Sequence, residues 1–165
     1  MTVRVGLHSV SMGHPRTLAL DVGDRRIGLA ITDPLGLTAQ PLFTLHRSSL
    51  RADLKAIARF LRQHKVEVVV VGNPLHADGS ESPQSAKSQA FAQALREAHP
   101  TLQHHLLDER LTTREAHALL GPRTSSADRR DRKNLIDQVA AVLILEAFLS
   151  RNSVTLLPDP DADLV

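Results

Sequence analysis

The sequence has no cysteine, tyrosine or tryptophan, and only four phenylalanines. The lack of cysteine excludes disulfide frameworks, thiolate zinc sites and cysteine nucleophiles, and it fits a reducing compartment. The scarcity of aromatic side chains disfavours proteins that bind single-stranded nucleic acid by stacking bases on an aromatic platform.

Long apolar runs are also missing. The longest, residues 139–145, is far shorter than the ~20 residues that a membrane-spanning helix requires. Residues 1–16 contain no continuous apolar segment, so they do not resemble a secretory signal. We therefore expect a cytoplasmic protein with no membrane partner.

Neither sign of charge is in large excess, since 20 Lys and Arg residues face 18 Asp and Glu residues, a formal net charge of +2. This balance does not by itself indicate a nucleic-acid partner, so local clusters of charge have to carry that argument. The 165 residues suit one domain, which is long enough to fold without disulfides or metal.

Hydrophobic patterns predict nine elements in the order β-β-β-α-β-α-β-α-α. The predicted strands cover residues 16–22, 26–33, 41–46, 66–71 and 103–109. The predicted helices run from a cap at Ser48 or Ser49 to about residue 64, from Pro83 to Pro100, from Thr112 to Gly121, and over residues 134–149. This order predicts an α/β fold, a mixed sheet with helices packed on its faces.

Residues 17–150 are predicted to form the domain, with a flexible extension at 1–16 and a peripheral tail at 151–165. Residues 72–80 are predicted to be a loop, and 123–132 a polar, flexible and locally basic one. The strand at 66–71 is predicted to be buried on both faces. The second helix is predicted to bury four alanines spaced by four residues: Ala86, Ala90, Ala94 and Ala98.

Acidic residues fall at the ends of three predicted elements. Asp21 lies near the end of the first strand, Asp108 and Glu109 end the last strand, and Asp137 lies near the start of the last helix. Each position also has a purely structural interpretation. Asp21 would cap the following turn, and Asp137 would be favoured by the positive end of its helix. The acids at 108–109 would form a surface ion pair with Arg110. Alternation along the strand puts Asp108 and Glu109 on opposite faces, so only one of them is expected to enter a shared site.

Taken together, these acids predict a metal site at one edge of the sheet. Carboxylates without histidine or cysteine suit Mg²⁺ or Mn²⁺. Two such ions stabilise the attacking and leaving oxygens of a phosphodiester displacement. A second interpretation starts from the spacing D-x-G-x-x-x-x-G between Asp21 and Gly28, which resembles the phosphate loop of actin-like and sugar-kinase ATPases. No second such loop occurs, which disfavours that interpretation.

Four segments occur in a fixed order within residues 17–149. They are 20–30 (LDVGDRRIGLA), 72–75 (GNPL) with 78–80 (DGS), 108–113 (DERLTT), and Lys133 with 136–138 (IDQ) and 140–141 (AA). In this order they resemble the YqgF/RuvX family, known as Holliday junction resolvases and pre-16S rRNA nucleases. The resemblance implies an RNase H-like mixed sheet. It implies Asp21, Glu109 and Asp137 as the catalytic and metal-binding acids, with Asp108 as the alternate to Glu109.

The resemblance also implies that Gly72, Pro74 and Gly79 shape a loop beside the site. Basic side chains accompany each acid along the chain and predict a nucleic-acid-binding surface; they are Arg25, Arg26, Arg110, Arg129, Arg130, Arg132 and Lys133. The alternative for residues 129–133 is a solvated charged loop. The nine histidines share no metal-binding spacing, so we expect them to be structural or surface residues.

These observations favour a metal-dependent nuclease that uses Mg²⁺ or Mn²⁺. The resemblance implies 5′-end processing of precursor 16S ribosomal RNA as its role. The alternatives are a Holliday junction resolvase acting on four-way DNA and a non-catalytic RNA-binding maturation factor. Both a monomer and a homodimer are compatible with the sequence.

Overall fold

Five strands form one mixed sheet in the computed structural model, which describes residues 13–112 and 126–155. The strands are β1 (Thr17–Val22), β2 (Arg26–Thr32), β3 (Ala39–His46), β4 (Val68–Asn73) and β5 (Gln103–Asp108), in the spatial order β3-β2-β1-β4-β5. The first three pair antiparallel, while β4 is parallel to β1 and β5 is parallel to β4. The predicted mixed sheet is therefore confirmed.

Helices cover both faces of this sheet. They are α1 (Leu50–Gln63), α2 (Pro83–Ala98) and α3 (Ser126–Thr155). Helix α1 begins at the Ser49 side chain, which accepts the N–H of Ala52, and α2 begins with a capping box between Ser82 and Ser85. None of the helices in the described ranges is both long and apolar enough to cross a membrane.

Alternation along the strands separates two hydrophobic cores. On one face Leu18, Leu20 and Val22 of β1 pack with side chains of α1 and α2. On the other face Ala19 and its neighbours pack with α3. All four valines of 68–71 are buried, two on each face, as predicted for a central parallel strand.

Helix α3 lies very close to the sheet because the residues beneath it are small. Ala19 and Ala30 line its core, and a side chain on Gly28 would collide with the backbone carbonyl of Asp137. The helix is also hydrogen-bonded to β3, where the Thr44 hydroxyl donates to the carbonyl oxygen of Asn134 at 2.8 Å. Gly28 and Thr44 are register partners, so both contacts lie in one row across the sheet.

The hairpin between β1 and β2 is held from the opposite side of the molecule. Gln84 donates to the carbonyl of Val22 at 2.7 Å, and Arg47 donates to the carbonyl of Gly23 at 2.8 Å. Arg47 is itself fixed by an ion pair with the buried carboxylate of Asp53. Helices α1 and α2 therefore determine where the chain leaves β1.

Two corrected boundaries change the surroundings of the acids. Strand β4 continues to Asn73, so Gly72 lies in the strand, opposite Leu107, rather than in the loop predicted for 72–80. Strand β5 ends at Asp108, and Glu109 begins a short 3₁₀ helix, Glu109–Leu111. The reason is that the Asp108 carboxylate accepts the N–H of Arg110 and caps this turn.

Helix α3 is longer than predicted at both ends. It begins at Ser126 and reaches Thr155, so residues 126–132 are helical and not a flexible loop. No glycine or proline interrupts residues 126–155, and charged side chains are acceptable helix formers. The predicted helix from Thr112 to Gly121 lies outside the described residues beyond Thr112. The division into residues 1–16, 17–150 and 151–165 stays a prediction.

The predicted buried face of α2 is wrong. Its buried residues are Ser85, Ser88, Phe91 and Leu95, whereas Ala86, Ala90 and Ala98 are exposed and Ala94 is partly exposed. The helix turns its two large apolar side chains toward the core because they bury more apolar area than alanine methyl groups. Ser85 and Ser88 are buried as well, because they lie six and three residues before Phe91 on the same face of the helix.

A pair of matched substitutions tests this orientation of α2. Ser88, 1% exposed, has no room for a larger side chain, so Ser88→Leu should destabilise the fold by about 1–3 kcal/mol. Ala90→Leu, on the exposed face, should change stability by less than about 0.5 kcal/mol. Urea denaturation measures both, and the reverse order would contradict the orientation described here.

Candidate active site

The site begins with Asp21, one residue before the end of β1. Its register partner on β2 is Gly28, and its neighbour Leu20 pairs with Val71 of β4, so Gly72 comes next to Asp21 on the other side. Asp21 alternates with Leu20 and Val22, and it therefore faces α3 together with Ala19. A carboxylate thus stands between two glycines on neighbouring strands.

Glu109 reaches this position from the 3₁₀ turn that follows β5. A side chain on Gly72 would collide with Oε1 of Glu109 and would lie only 2.6 Å from Cδ1 of Ile144. Because Gly72 has no side chain, the Glu109 carboxylate lies over β4 on the face that Asp21 also uses. The carboxylate of Asp108, one residue earlier, instead forms an ion pair with Arg110.

Asp137 approaches from α3. Its backbone rests on Gly28, and one of its carboxylate oxygens, Oδ2, accepts from Nε of Arg26 at 2.6 Å. The two residues are 111 positions apart in sequence, and both side chains are partly exposed. Helix α3 thus carries the third acid to the row that contains Asp21.

The pKa values of Asp21 and Glu109 are raised by their surroundings. Burial, assisted by the negative charge of Asp137, raises the pKa of Asp21 to about 6. Burial, assisted by the charges of Asp21 and Asp108, raises the pKa of Glu109 to about 7. Asp21 is therefore electrostatically coupled to both other acids. Within the described part of the chain, no hydrogen-bond donor reaches the carboxylate of Asp21 or of Glu109.

These carboxylates fit a hard divalent cation by their donor chemistry. Asp21 and Glu109 are partly buried and repel one another, and among the described residues neither has the positive partner that such carboxylates normally have. The present side-chain positions are nevertheless not a closed cage. Among residues 13–112 and 129–151, no three acidic or histidine side chains are arranged closely enough to hold an ion. Asp137 is bonded to Arg26 instead.

The alternate acid, Asp108, is engaged by a different cation. Nη2 of Arg110 bonds its carboxylate at 2.6 Å, and this hydrogen bond lowers the pKa of Asp108. Arg110 also donates to the carbonyl of Ala77, and Gly79, with φ +88°, lies against its guanidinium. Pro74 closes the same loop by accepting from Ser82 at 2.5 Å. Asp108 and Arg110 therefore connect β5 to the 74–82 loop.

A basic groove lies beside Asp137, with a volume of about 600 Å³. Its lining residues come from the start of β2, the end of β3 and the first turns of α3: Arg25, Arg26, His46, Arg129, Arg130 and Lys133. Two residues of the predicted nucleic-acid-binding surface do not line this groove: Arg132, and Arg110, which is bonded to Asp108. Sequence reasoning missed His46, because nothing local to β3 shows that its end meets α3.

The sequence comparisons agree with this arrangement. The family model described as "RuvX: Holliday junction resolvase" matches residues 15–151. The chain belongs to the RuvX family. The resemblance noted in the sequence is thereby confirmed.

Relatives from two bacteria are similar over most of their length. A protein of Koribacter versatilis (strain Ellin345), named "Putative pre-16S rRNA nuclease", is 45% identical over 141 residues, 86% of this chain and 90% of that protein. A protein of the same name from Moorella thermoacetica is 46% identical over 136 residues, 82% of this chain and 95% of that one.

Solved structures of resolvases share the fold. RuvC of Thermus thermophilus in complex with a Holliday junction substrate has a TM-score of 0.52 at 14% identity, covering 85% of this chain and 97% of that chain. The fowlpox virus resolvase in complex with Holliday junction DNA has a TM-score of 0.52 at 11% identity, covering 83% and 98%. The expected RNase H-like fold of this RuvX protein is confirmed by these likenesses.

The raised pKa values predict how stability depends on pH in metal-free buffer. The unfolded chain releases the protons of Asp21 and Glu109 at a pH of about 4, whereas the folded protein holds them up to about pH 6 and about pH 7. The folded state binds more protons in this window, so the free energy of unfolding should fall as pH rises through it. Asp21→Asn should raise stability at pH 8 by roughly 1–3 kcal/mol.

Urea denaturation in EDTA, from about pH 4 to about pH 8, measures this dependence. Asp24→Asn is the matched control, because its hydrogen bond to Lys87 lowers the pKa of Asp24, so this carboxylate does not titrate in the window. Identical slopes for the wild type and Asp21→Asn would contradict the burial of an unpaired carboxylate at position 21.

Proposed function

We propose that this RuvX protein is a metal-dependent nuclease that hydrolyses phosphodiester bonds in precursor 16S ribosomal RNA. The observation that carries this proposal is that three electrostatically coupled acids, from β1, the 3₁₀ turn and α3, lie on one face of the sheet beside a groove of cations. The family of the chain and the names of its relatives support the same class of reaction.

Asp21, Glu109 and Asp137 would hold Mg²⁺ or Mn²⁺. When bound, such ions activate water and stabilise the charge that develops on the oxygens of the reacting phosphate. The chain itself contributes the rigid placement of the carboxylates. Asp21 is held by its pairing with Gly28 on β2 and by the pairing of its neighbour Leu20 with β4, and Asp137 is held by the contact of its backbone with Gly28. Burial beneath α3 limits the access of water, which strengthens the field of the acids.

The groove would hold the phosphate backbone of the substrate next to these acids. Arg129, Arg130 and Lys133 present their cationic groups from adjacent turns of α3, and Arg25 faces them from the hairpin. Such contacts fix the position of a strand without reading its sequence. The arginines also bind phosphate oxygens in pairs, which orients the phosphate.

Precursor RNA is favoured over four-way DNA by what the groove lacks. No phenylalanine lines it; Phe91 and Phe148 are buried, and the ring of Phe43 packs at a tilt against that of Phe60, with centroids 5.5 Å apart. The groove therefore offers no aromatic wedge that could open a junction. Resolution of a junction is nonetheless the second candidate, since the family description and the two resolvase structures with the same fold point to it.

Substitution of Asp21 tests the catalytic assignment. Asp21→Asn is nearly isosteric but removes a charge that a cation needs, so cleavage should fall by at least about 100-fold while the fold and RNA binding are retained. The measurement is cleavage of a precursor 16S RNA fragment and of an intact four-way DNA junction, in equimolar competition, first with Mg²⁺ and then with Mn²⁺.

Asp24→Asn, three residues along the same hairpin, is the control and should cleave like the wild type. Cleavage by Asp21→Asn at the wild-type rate would overturn the assignment of the site. If the junction receives paired symmetric nicks and the RNA is left intact, the proposed function would be junction resolution and not RNA processing. Binding without cleavage by the wild type under any of these conditions would favour a maturation factor.

Neutralising the groove should weaken binding of single-stranded RNA and make it less dependent on salt. The variant combines Arg129→Ala, Arg130→Ala and Lys133→Ala, and each lost phosphate contact removes about 0.7 to 1 from the slope of log K against log salt. The control combines Arg51→Ala, Arg59→Ala and Arg62→Ala, three exposed cations of α1 on the opposite face of the sheet. Equal slopes for the two variants would identify residues 129–133 as a solvated surface.

A further inference from the structure

Arg26 contacts both the acids and the basic groove. Its Nε donates to Asp137 at 2.6 Å, and its side chain lines the basic groove. The side chains of Arg26 and Asp137 are 28% and 22% exposed, so the pair lies at the boundary between the buried acids and the open groove. Through this ion pair, one of the three acids is joined directly to a cation of the groove.

This ion pair opposes the binding of a metal ion. The guanidinium occupies one oxygen of Asp137 and places a positive charge where a divalent cation would be repelled. In the described ranges no donor reaches the carboxylate of Asp21 or Glu109, and the acids there do not form a closed cage while Asp137 is bonded to Arg26. The acids are thus assembled, but one of them is neutralised by the chain itself.

A phosphate bound in the groove can draw the Arg26 guanidinium away from Asp137. Arg25, Arg129, Arg130 and Lys133 surround Arg26 with cations that attract a phosphodiester. A guanidinium has five N–H donors and bonds phosphate oxygens in pairs, so a phosphate beside Arg26 competes directly with the hydrogen bond from Nε to Asp137. A rotation of the Arg26 side chain is sufficient for this exchange, because the side chain already borders the groove.

We propose that Arg26 is a positioning residue that couples the groove to the acids: a phosphodiester in the groove draws Arg26 away from Asp137, and the metal ion then binds more tightly. The inference rests on the proposed nuclease function. Because binding free energies are reciprocal, the metal also tightens the binding of the phosphodiester by the same factor. The complete site therefore assembles only around a strand that is in place.

The experiment measures Mn²⁺ binding to the full chain by electron paramagnetic resonance, with and without a short single-stranded 2′-O-methyl phosphorothioate RNA that resists hydrolysis. In the wild type the RNA should tighten Mn²⁺ binding about tenfold, within the range typical of coupled sites. Arg26→Gln should bind Mn²⁺ about tenfold more tightly than the wild type without RNA, and RNA should change that affinity less than twofold. Arg26→Lys, which keeps a charge but not the Nε bond, should fall between them.

Arg25→Gln is the matched control, because it removes the same charge from the same groove but not the bond to Asp137. It should weaken RNA binding while the coupling to Mn²⁺ persists. Weaker or unchanged Mn²⁺ binding by Arg26→Gln, with a thermal midpoint like that of the wild type, would overturn the coupling. Asp21→Asn separates the two proposals: loss of Mn²⁺ binding in this variant leaves the metal site standing even if Arg26 has no effect, whereas wild-type Mn²⁺ binding would overturn the metal site itself.

Discussion

Close contact between helix α3 and the sheet is the constraint on which the site depends. Asp137 comes within reach of Asp21 only because Gly28 has no side chain, and Glu109 lies over β4 only because Gly72 has none. Both glycines flank Asp21 on neighbouring strands. Any other residue at either place would separate the helix or the glutamate from the sheet, so the acids meet through the absence of two side chains.

The assembled acids are a source of instability that the rest of the fold has to offset. The side chains of Asp21 and Glu109 are partly buried, and no donor of the described residues reaches either carboxylate. Two hydrophobic cores, one on each face, hold the strands in place against this repulsion. On the far face, the Arg47–Asp53 ion pair and Gln84 fix the hairpin that follows Asp21. Local instability at a site that a rigid scaffold supports is common in enzymes.

Much of the fold could be predicted from the sequence, because strand alternation and helix caps are local. All five described strands were predicted, and Ser49 and Pro83 mark two helix starts. Contacts between distant segments could not be predicted. The pairing of Arg26 with Asp137 and the place of His46 in the groove depend on how α3 crosses β2 and β3. The loop predicted for 72–80 begins too early, because the room that Gly72 leaves for Glu109 depends on a contact with a distant segment.

Helix α3 fixes the distance between the groove and the acids. Three of the groove cations, Arg129, Arg130 and Lys133, lie on the same continuous helix as Asp137, and Arg130 precedes Asp137 by two turns. Their separation along the axis is therefore constant at about 10 Å, set by the helical rise of 1.5 Å per residue. In a helical nucleic-acid strand this distance corresponds to about three nucleotides, at about 3.4 Å each. On the proposed function, the helix would therefore fix the distance between the phosphate that anchors the strand and the phosphate that faces the acids.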